Sequence, residues 1–583
     1  MKATNISVFY FVIFVLSMAN AQQFQQTSIP DVTDTPSASR SANFIDVNGD
    51  GWDDLFITNG PFSGQNNMLY INNGNGSFTT ITGDPIVNDN DRSDGASFAD
   101  ADNDGDLDAF VVTYGANGSG KKNYFYRNNG DGSFTYEPGI AMGLPLTYSE
   151  MANWIDVNND QNLDLYFTNS FQSLSNRYFE NLGDGSFEAV ANLSITSENL
   201  PSRSIDWVDY DGDGDSDLFI TNEENEKNSL FRNDGANNFT QITNLAIVQD
   251  LRNSAGSSWA DIDNDGDFDL FVGNWGNSGQ ANQLFINTGG SFTEDTNSVI
   301  AAAVTSSFGS TFGDVDNDGD LDLFVCNSYL NGQNTNFLYM NDGNGNFTLD
   351  VSSDLANFQG WSFGAAFGDY DNDGWLDILL ANTQNENQAN ALFRNTGTGN
   401  NWVKLTLIGT VSNYSAVGAK IRLRSTFNGN EVWQTRHISA ASGYCSQNSY
   451  KVHFGLGNAT IIDEIEVSWP SGLVETFANT NVNGNYTAIE GDGTLGNVEN
   501  ERQNVVIFPN PVEDTITVSG QLLQEYKSVV FRVFTLDGRV VEEQFMKNQT
   551  KNKVDLSKLA SGIYLYSLVH QSANLQTGKL VKY

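Results

Sequence analysis

Residues 259–272 read WADIDNDGDFDLFV. Asp261, Asp263, Asp265, Asp267 and Asp269 occupy alternate positions, Gly266 interrupts them, and an apolar run follows without a gap. Carboxylates this close repel one another, so the stretch predicts a neutralising partner. The pattern Asp-x-(Asp/Asn)-x-Asp-x-x-x-Asp also starts at Asp46, Asp100, Asp156, Asp209, Asp314 and Asp369. Successive starts lie 54, 56, 53, 52, 53 and 55 residues apart, a period that marks a repeat architecture.

Each unit carries the same parts in the same order. An aromatic stands two residues before the first Asp: Phe44, Phe98, Trp154, Trp207, Trp259, Phe312 and Phe367. An apolar run such as LFITN or LFVGN follows the last Asp, and then a segment such as NYFYRNNGDGSF, whose Asn/Gly turn between aromatic-rich arms signals a hairpin. This predicts four short strands per unit and no helix. Small residues upstream of the aromatic, such as Ala42, Gly256-Ser257 and Gly364-Ala365, suit an innermost strand crowded at an axis, with Ile205 the exception. Seven such units fit a seven-bladed β-propeller, and the fold class is all-β. A solenoid is the rival geometry, and it needs polar caps. Six units end in a strand led by Phe78, Phe134, Phe187, Phe239, Phe292 or Phe347; the seventh lacks one, while FQQTSI from Phe24 is unclaimed. That N-terminal strand is expected to complete blade seven and close the ring, which removes exposed edges.

Asp oxygens at loop positions 1, 3, 5 and 9 with a carbonyl at 7 match the first part of an EF-hand calcium loop, including glycine at 6. The distal Glu and the helix of an EF-hand are absent, so each loop is expected at the tip of a hairpin. Oxygen-only donors favour calcium over zinc or copper, and the chain has only 3 histidines. Turn capping alone explains one or two Asp per loop, not four or five. The expected ligands are Asp46, Asn48, Asp50, Trp52 and Asp54; Asp100, Asp102, Asp104, Asp106 and Asp108; Asp156, Asn158, Asp160, Asn162 and Asp164; and Asp209, Asp211, Asp213, Asp215 and Asp217. The remaining three loops contribute Asp261, Asp263, Asp265, Asp267 and Asp269; Asp314, Asp316, Asp318, Asp320 and Asp322; and Asp369, Asp371, Asp373, Trp375 and Asp377, with position 7 acting through its carbonyl. Up to seven Ca2+ are expected, one per blade. The Asp156 loop, with two Asn and with Gln161 in place of glycine, is expected to bind weakest, and the Asp46 loop to be intermediate. Extracellular calcium modules bind at roughly 10⁻⁴ to 10⁻³ M.

Composition agrees. The 583 residues have a formal net charge of −44, and 30 of the 72 acidic residues occupy the five odd positions of these loops. Such a balance argues against nucleic acid as a partner. Lys2, an apolar run from Ile6 to Leu16 and Ala19-Asn20-Ala21 read as a signal peptide over 1–21; the run is too short for a membrane anchor, and no other stretch could span a bilayer. Cys326 and Cys445 are the only cysteines, which excludes a disulfide-built scaffold and leaves a single bridge between them open.

The seven units resemble the FG-GAP/VCBS repeats of the integrin α-subunit head, which implies calcium in hairpin loops on one propeller face. The propeller is assigned to 22–400. Residues 401–490, with SNYSAVGAKIRL, HISAASGYCSQNS, VHFGLG and VSWPSG, resemble the ASPIC/UnbV domain that follows such propellers in the cartilage acidic protein family; that family often has glycine or another residue where this chain has Cys445. Arg436, His437, Ser439, Ser442, Tyr444, Ser446 and His453 are residue types of a hydrolase, but no G-x-S-x-G or H-E-x-x-H motif accompanies them. After a linker over 491–504, residues 505–583 resemble the C-terminal sorting domain of type IX secretion, on Pro509-Asn510-Pro511, the DGR turn and the GIY plus terminal Lys pattern; an ordinary immunoglobulin-like domain is the alternative. The resemblance implies the type IX machinery as a partner and a secreted or outer-membrane surface location. The expected function is non-enzymatic recognition or adhesion toward an extracellular glycan or protein ligand. The alternative is a polysaccharide-active lyase or hydrolase.

Overall fold

The computed structural model describes residues 24–583 except 31, 61–62, 116–118, 172–173, 236, 330–334, 384–387, 428, 499–505, 509–511, 513, 520–522, 524–528, 536–538, 548, 550 and 571–572. The leader at 1–21, Pro509-Asn510-Pro511 and most of the DGR turn therefore lie outside the described residues. Two compact units divide the chain, 1–496 and 497–583.

Unit one contains seven four-stranded antiparallel sheets built alike. Their innermost strands are Ser39–Ile45, Ser93–Ala99, Ser149–Ile155, Ser202–Val208, Ser254–Ala260, Ser307–Gly313 and Ser362–Gly368. Each pairs with a strand that begins at the ninth loop residue: Asp54–Asn59, Asp108–Thr113, Asp164–Asn169, Asp217–Asn222, Asp269–Asn274, Asp322–Asn327 or Asp377–Asn382. All residues of these second strands are buried, because neighbouring sheets cover both faces. That accounts for their unbroken apolar runs. Aromatic edges lock one blade to the next: Phe56 meets Phe98 at 5.1 Å, Tyr166 meets Trp207 at 6.1 Å and Phe219 meets Trp259 at 5.5 Å between ring centres. Such pairs contribute about 0.5–1.5 kcal/mol beyond the area they bury.

Each innermost strand packs on the next around the ring, and Ser362–Gly368 packs on Ser39–Ile45, so the ring is closed. Phe24–Thr27 completes blade seven against Ala391–Asn395, with Phe24 opposite Asn395 as Phe78 is opposite Asn72 in blade one. Two expectations need correction. The fifth outer strand starts at Ser291, one residue before Phe292. The units are also not free of helix: single 3-10 turns such as Pro85–Val87, and two four-residue α-turns at Val299–Ala302 and Asp354–Asn357, link blades. Side chains of Asp84, Ser298 and Ser353 cap three of these turns, a local hydrogen-bond preference that a strand-oriented reading passes over.

The rest of unit one is a two-sheet β-sandwich. One sheet orders Val452–Gly457, Asn401–Ile408, Gly484–Ile489 and Leu495–Val498; the other orders Asn430–His437, Lys420–Phe427, Ile462–Ser468 and Val474–Thr480. Its edge rests on the Asp-loop face of the propeller: Lys404 Nζ bonds Asp369 at 2.5 Å, and the Gly455 N–H donates to Asp314 at 3.1 Å. Residues 438–449 run down the propeller axis as a plug. Gln447 exchanges backbone hydrogen bonds with Ala42 and Phe44, Asn448 accepts from the Phe367 N–H, and the Ser97 hydroxyl donates to the Ala440 carbonyl. At the tip, Tyr444 and Cys445 pack with Ala255, Phe308 and Phe363. Cys326 and Cys445 are both buried free thiols, which settles the bridge left open by the sequence.

Unit two is a smaller sandwich. Three strands, Val506–Phe508, Thr515–Ser519 and Lys551–Asp555, face four, Val540–Phe545, Val530–Phe534, Gly562–His570 and Ala573–Lys582, around a core that includes Ile516, Val518, Phe531, Val533 and Leu568. No helix among the described residues is long and apolar enough to cross a membrane.

Candidate metal centres on one face of the propeller

Each Asp loop joins the first strand of a blade to the second, so all seven tips lie on the same face. The loops are pre-shaped by their own hydrogen bonds. In every blade the first Asp accepts the N–H of position 6, from Gly51, Gly105, Gln161, Gly214, Gly266, Gly319 or Gly374, at 2.8–3.2 Å. The Asp at position 5 accepts the N–H of position 7 at 2.9–3.1 Å, again in all seven. Position 6 has positive φ throughout, and Gln161, at +80°, is the one residue there with a side chain to strain.

Position 9 has a different role. Both oxygens of Asp54, Asp108, Asp164, Asp217, Asp269, Asp322 and Asp377 accept backbone N–H groups, one from an Asn on the third strand at 2.7–2.9 Å and one from loop position 2 at 3.0–3.4 Å. That Asn also staples blades together. The side-chain amides of Asn72, Asn128, Asn181, Asn287, Asn341 and Asn395 donate at 2.7–2.9 Å to carbonyls of a neighbouring blade: Tyr370, Val47, Ala101, Tyr210, Ile262 and Val315. Loop shape and blade packing are therefore one hydrogen-bonded system.

Three carboxylate oxygens come within 4.8 Å of one another in five loops: Asp100, Asp102 and Asp104; Asp209, Asp211 and Asp217; Asp261, Asp263 and Asp265; Asp314, Asp316 and Asp322; and Asp369, Asp371 and Asp377. Among the described residues no such triad forms at Asp46 or Asp156, where Asn48 and Asn158 stand at position 3. Burial, with repulsion from neighbouring carboxylates behind it, pushes Asp100 and Asp314 up to about 7, and Asp318, next to Asp316, up to about 9. Buried carboxylate oxygens on Asp211, Asp261, Asp316 and Asp371 have no hydrogen-bond partner. Converging hard oxygens, some of them orphaned, with no His or Cys among them, fit a divalent hard cation.

The sequence reading missed the basic side chains that reach these loops. Arg127 pairs with Asp102 and Asp108, and Arg394 with Asp371 and Asp373. From the sandwich, Lys404 reaches Asp369 and Lys451 reaches Asp53. A chain with only 28 Lys and Arg has few to spare, and the recurrence of Arg in the third strand was the available signal. The two sandwich histidines are packed internally: His453 Nε2 lies 3.1 Å from the Gly374 carbonyl, and His437 lies edge-on to Phe268. Burial pushes both down to about 4.

Comparison with known families matches this architecture part by part. The FG-GAP-like repeat model matches residues 46–111, 156–220, 209–272, 261–325 and 326–380. The ASPIC and UnbV model matches 409–495, and the secretion system C-terminal sorting domain model matches 506–583. Cartilage acidic protein 1 of Xenopus tropicalis is 30% identical over 279 residues, 45% of this chain and 40% of that protein. The Homo sapiens protein of the same name is 30% identical over 274 residues, 44% of this chain and 39% of its own length. The match therefore spans well under half of these relatives. The sorting domain points to export and to a cell-surface or outer-membrane location, and it implies contact with the type IX secretion system.

Proposed function

We propose that this chain, which carries FG-GAP-like repeats, an ASPIC/UnbV domain and a secretion sorting domain, is an exported calcium-stabilised recognition protein. The observation that carries this reading is the set of five carboxylate triads on one propeller face, each held in a loop already shaped by its own backbone. In each blade positions 1, 3 and 5 and the position 7 carbonyl would hold the ion, while position 9, both of whose oxygens already accept backbone N–H groups, would add only a remaining lone pair. The Asp46 and Asp156 loops, with fewer carboxylates, would bind more weakly. An ion here supplies charge neutralisation and joins the first two strands of a blade, so binding stabilises the folded state by mass action. The propeller over 22–400, the sandwich over 401–490, which takes Leu495–Val498 from the expected 491–504 linker as an added strand, and the sorting domain over 505–583 then divide the work into scaffold, plug and address, with the rest of the linker as tether. Recognition of a glycan, protein or matrix ligand fits a fold that gathers loops from seven blades on each face.

Calorimetric melting of the full chain tests the metal reading. A chelator is expected to lower Tm by several degrees and added calcium to restore it, with more than one ion bound per chain by titration. A melting curve indifferent to both would sink it.

A further inference from the structure

The Asp loops share a backbone but differ in what already neutralises their charge. The Asp209, Asp261 and Asp314 loops each carry carboxylates at all five odd positions. Among the described residues, no Lys or Arg forms an ion pair with any of these carboxylates. Arg232 pairs with Asp234, outside its loop, and Lys420 reaches the Asp261 loop only at the Gly266 carbonyl, 3.3 Å away. Arg436, whose charge faces the Asp261 and Asp314 loops, donates instead to the Thr435 carbonyl and the Gln434 side chain. The Asp100 loop has one cation, Arg127, against its five carboxylates.

The Asp369 loop has four carboxylates, and each is already engaged. Lys404 Nζ lies 2.5 Å from Asp369 and 2.7 Å from Asn372 Oδ1. Arg394, on the third strand of the blade, donates to Asp371 at 2.5 Å and to Asp373 at 2.7 Å. Asp377 accepts the N–H groups of Asn395 and Tyr370. Two cations thus answer half of the loop's charge. The Lys404 and Asp369 side chains are 3% and 1% exposed, so salt screens this pair little. The sandwich strand that delivers Lys404 is seated tightly: a Cβ on Gly374 would stand 1.8 Å from the Trp402 ring. Affinity for a hard cation follows the charge of its ligand set, and an ammonium on the first ligand repels a divalent ion entering beside it.

We propose that protein cations do in the Asp369 loop what calcium does in the Asp209, Asp261 and Asp314 loops. Lys404 from the sandwich, helped by Arg394, neutralises this loop and weakens its calcium binding roughly tenfold or more relative to the same four carboxylates without them. Coupling is reciprocal, so the docked sandwich and an ion in this loop oppose each other. The blade that closes the ring, and that runs on into the sandwich at Asn401, is then the one whose loop keeps its shape in chelator. The inference rests on the calcium reading and ranks one of its sites. Wild type, Lys404→Met and Arg394→Gln, all as full chains, are titrated with calcium chloride by calorimetry and melted in chelator and in about 1 mM calcium. Lys404→Met is expected to gain one bound ion, or one site roughly tenfold tighter, and to melt below wild type in chelator with the gap closing in calcium. Arg394→Gln, at a side chain 43% exposed, is expected to shift the same way by less, and it carries the test should Lys404→Met not fold. Adding Asp371→Asn to either variant is expected to remove the gain, which assigns it to this loop. Calcium binding that is unchanged or weaker in every variant that folds overturns the proposal and leaves the calcium reading standing. A wild type indifferent to both calcium and chelator sinks both.

Discussion

At single positions, the least favourable residue in the repeats is Gln161. It holds φ +80° with its side chain exposed, where six other blades use glycine. Left-handed backbone costs a non-glycine residue about 1–2 kcal/mol, and glycine returns part of that through the entropy of the unfolded chain. Gln161→Gly is therefore expected to raise stability by about 0.5–1 kcal/mol, seen as a higher Tm in chelator as well as in calcium. A fall in Tm would mean that the Gln161 side chain contributes more than its backbone costs. The strain was legible in the sequence as the one break in the position 6 column. The orphaned oxygens of Asp211, Asp261, Asp316 and Asp371 were not, because spacing alone does not say which lone pairs the backbone has already engaged.

Among elements, the tie between the residue after Gly484–Ile489 and the turn that follows Asn401–Ile408 is the clearest case of one side chain ordering a turn. Glu490 accepts the N–H groups of Thr410, Val411 and Ser412 at 2.7–2.8 Å and the hydroxyls of Ser412 and Ser471. Burial pushes its carboxyl up, but these hydrogen bonds outweigh that and hold it down at about 2. A depressed folded-state value means that the carboxylate's contribution is complete above its ordinary 4.5 and is lost as pH falls through about 2. Glu490→Gln is expected to cost about 1–3 kcal/mol near neutral pH. The Tm gap between wild type and variant should narrow between pH 4.5 and 2. A gap that stays constant across that window would rule out the ionised carboxylate as the source. The sequence showed nothing of the tie, since Glu490 and Ser412 are joined only by the fold.

For the whole molecule, ring closure depends on a four-residue strand from the far end of the propeller sequence. Phe24 is fully buried between blades six and seven, with neighbours that include Phe324 and Phe393, and Phe24–Thr27 covers the edge of Ala391–Asn395. Removing residues 22–27 would expose that edge and vacate the Phe24 site, where truncation of a buried aromatic costs about 3–5 kcal/mol. The expected result is a lower Tm and concentration-dependent association by light scattering. Phe24→Ala, which keeps the backbone pairing, should lower Tm without the association. A truncated chain that stays monomeric at unchanged Tm would show that the ring does not need its closing strand.

The seven-fold period, the aromatic column and the Asp loops are local and repeated, so the sequence by itself determined the propeller, its blade count and the strand that closes it. Each of these follows from a spacing that recurs in register, and register decides which face a strand side chain takes. The plug over 438–449 and the sandwich lysines at the Asp loops were decided only by the tertiary structure. They join residues up to 405 positions apart along the chain, as Cys445 and Arg40 are, with no period linking them. The physical reason is that a closed ring leaves an axis to be filled, and no property of one blade states what fills it.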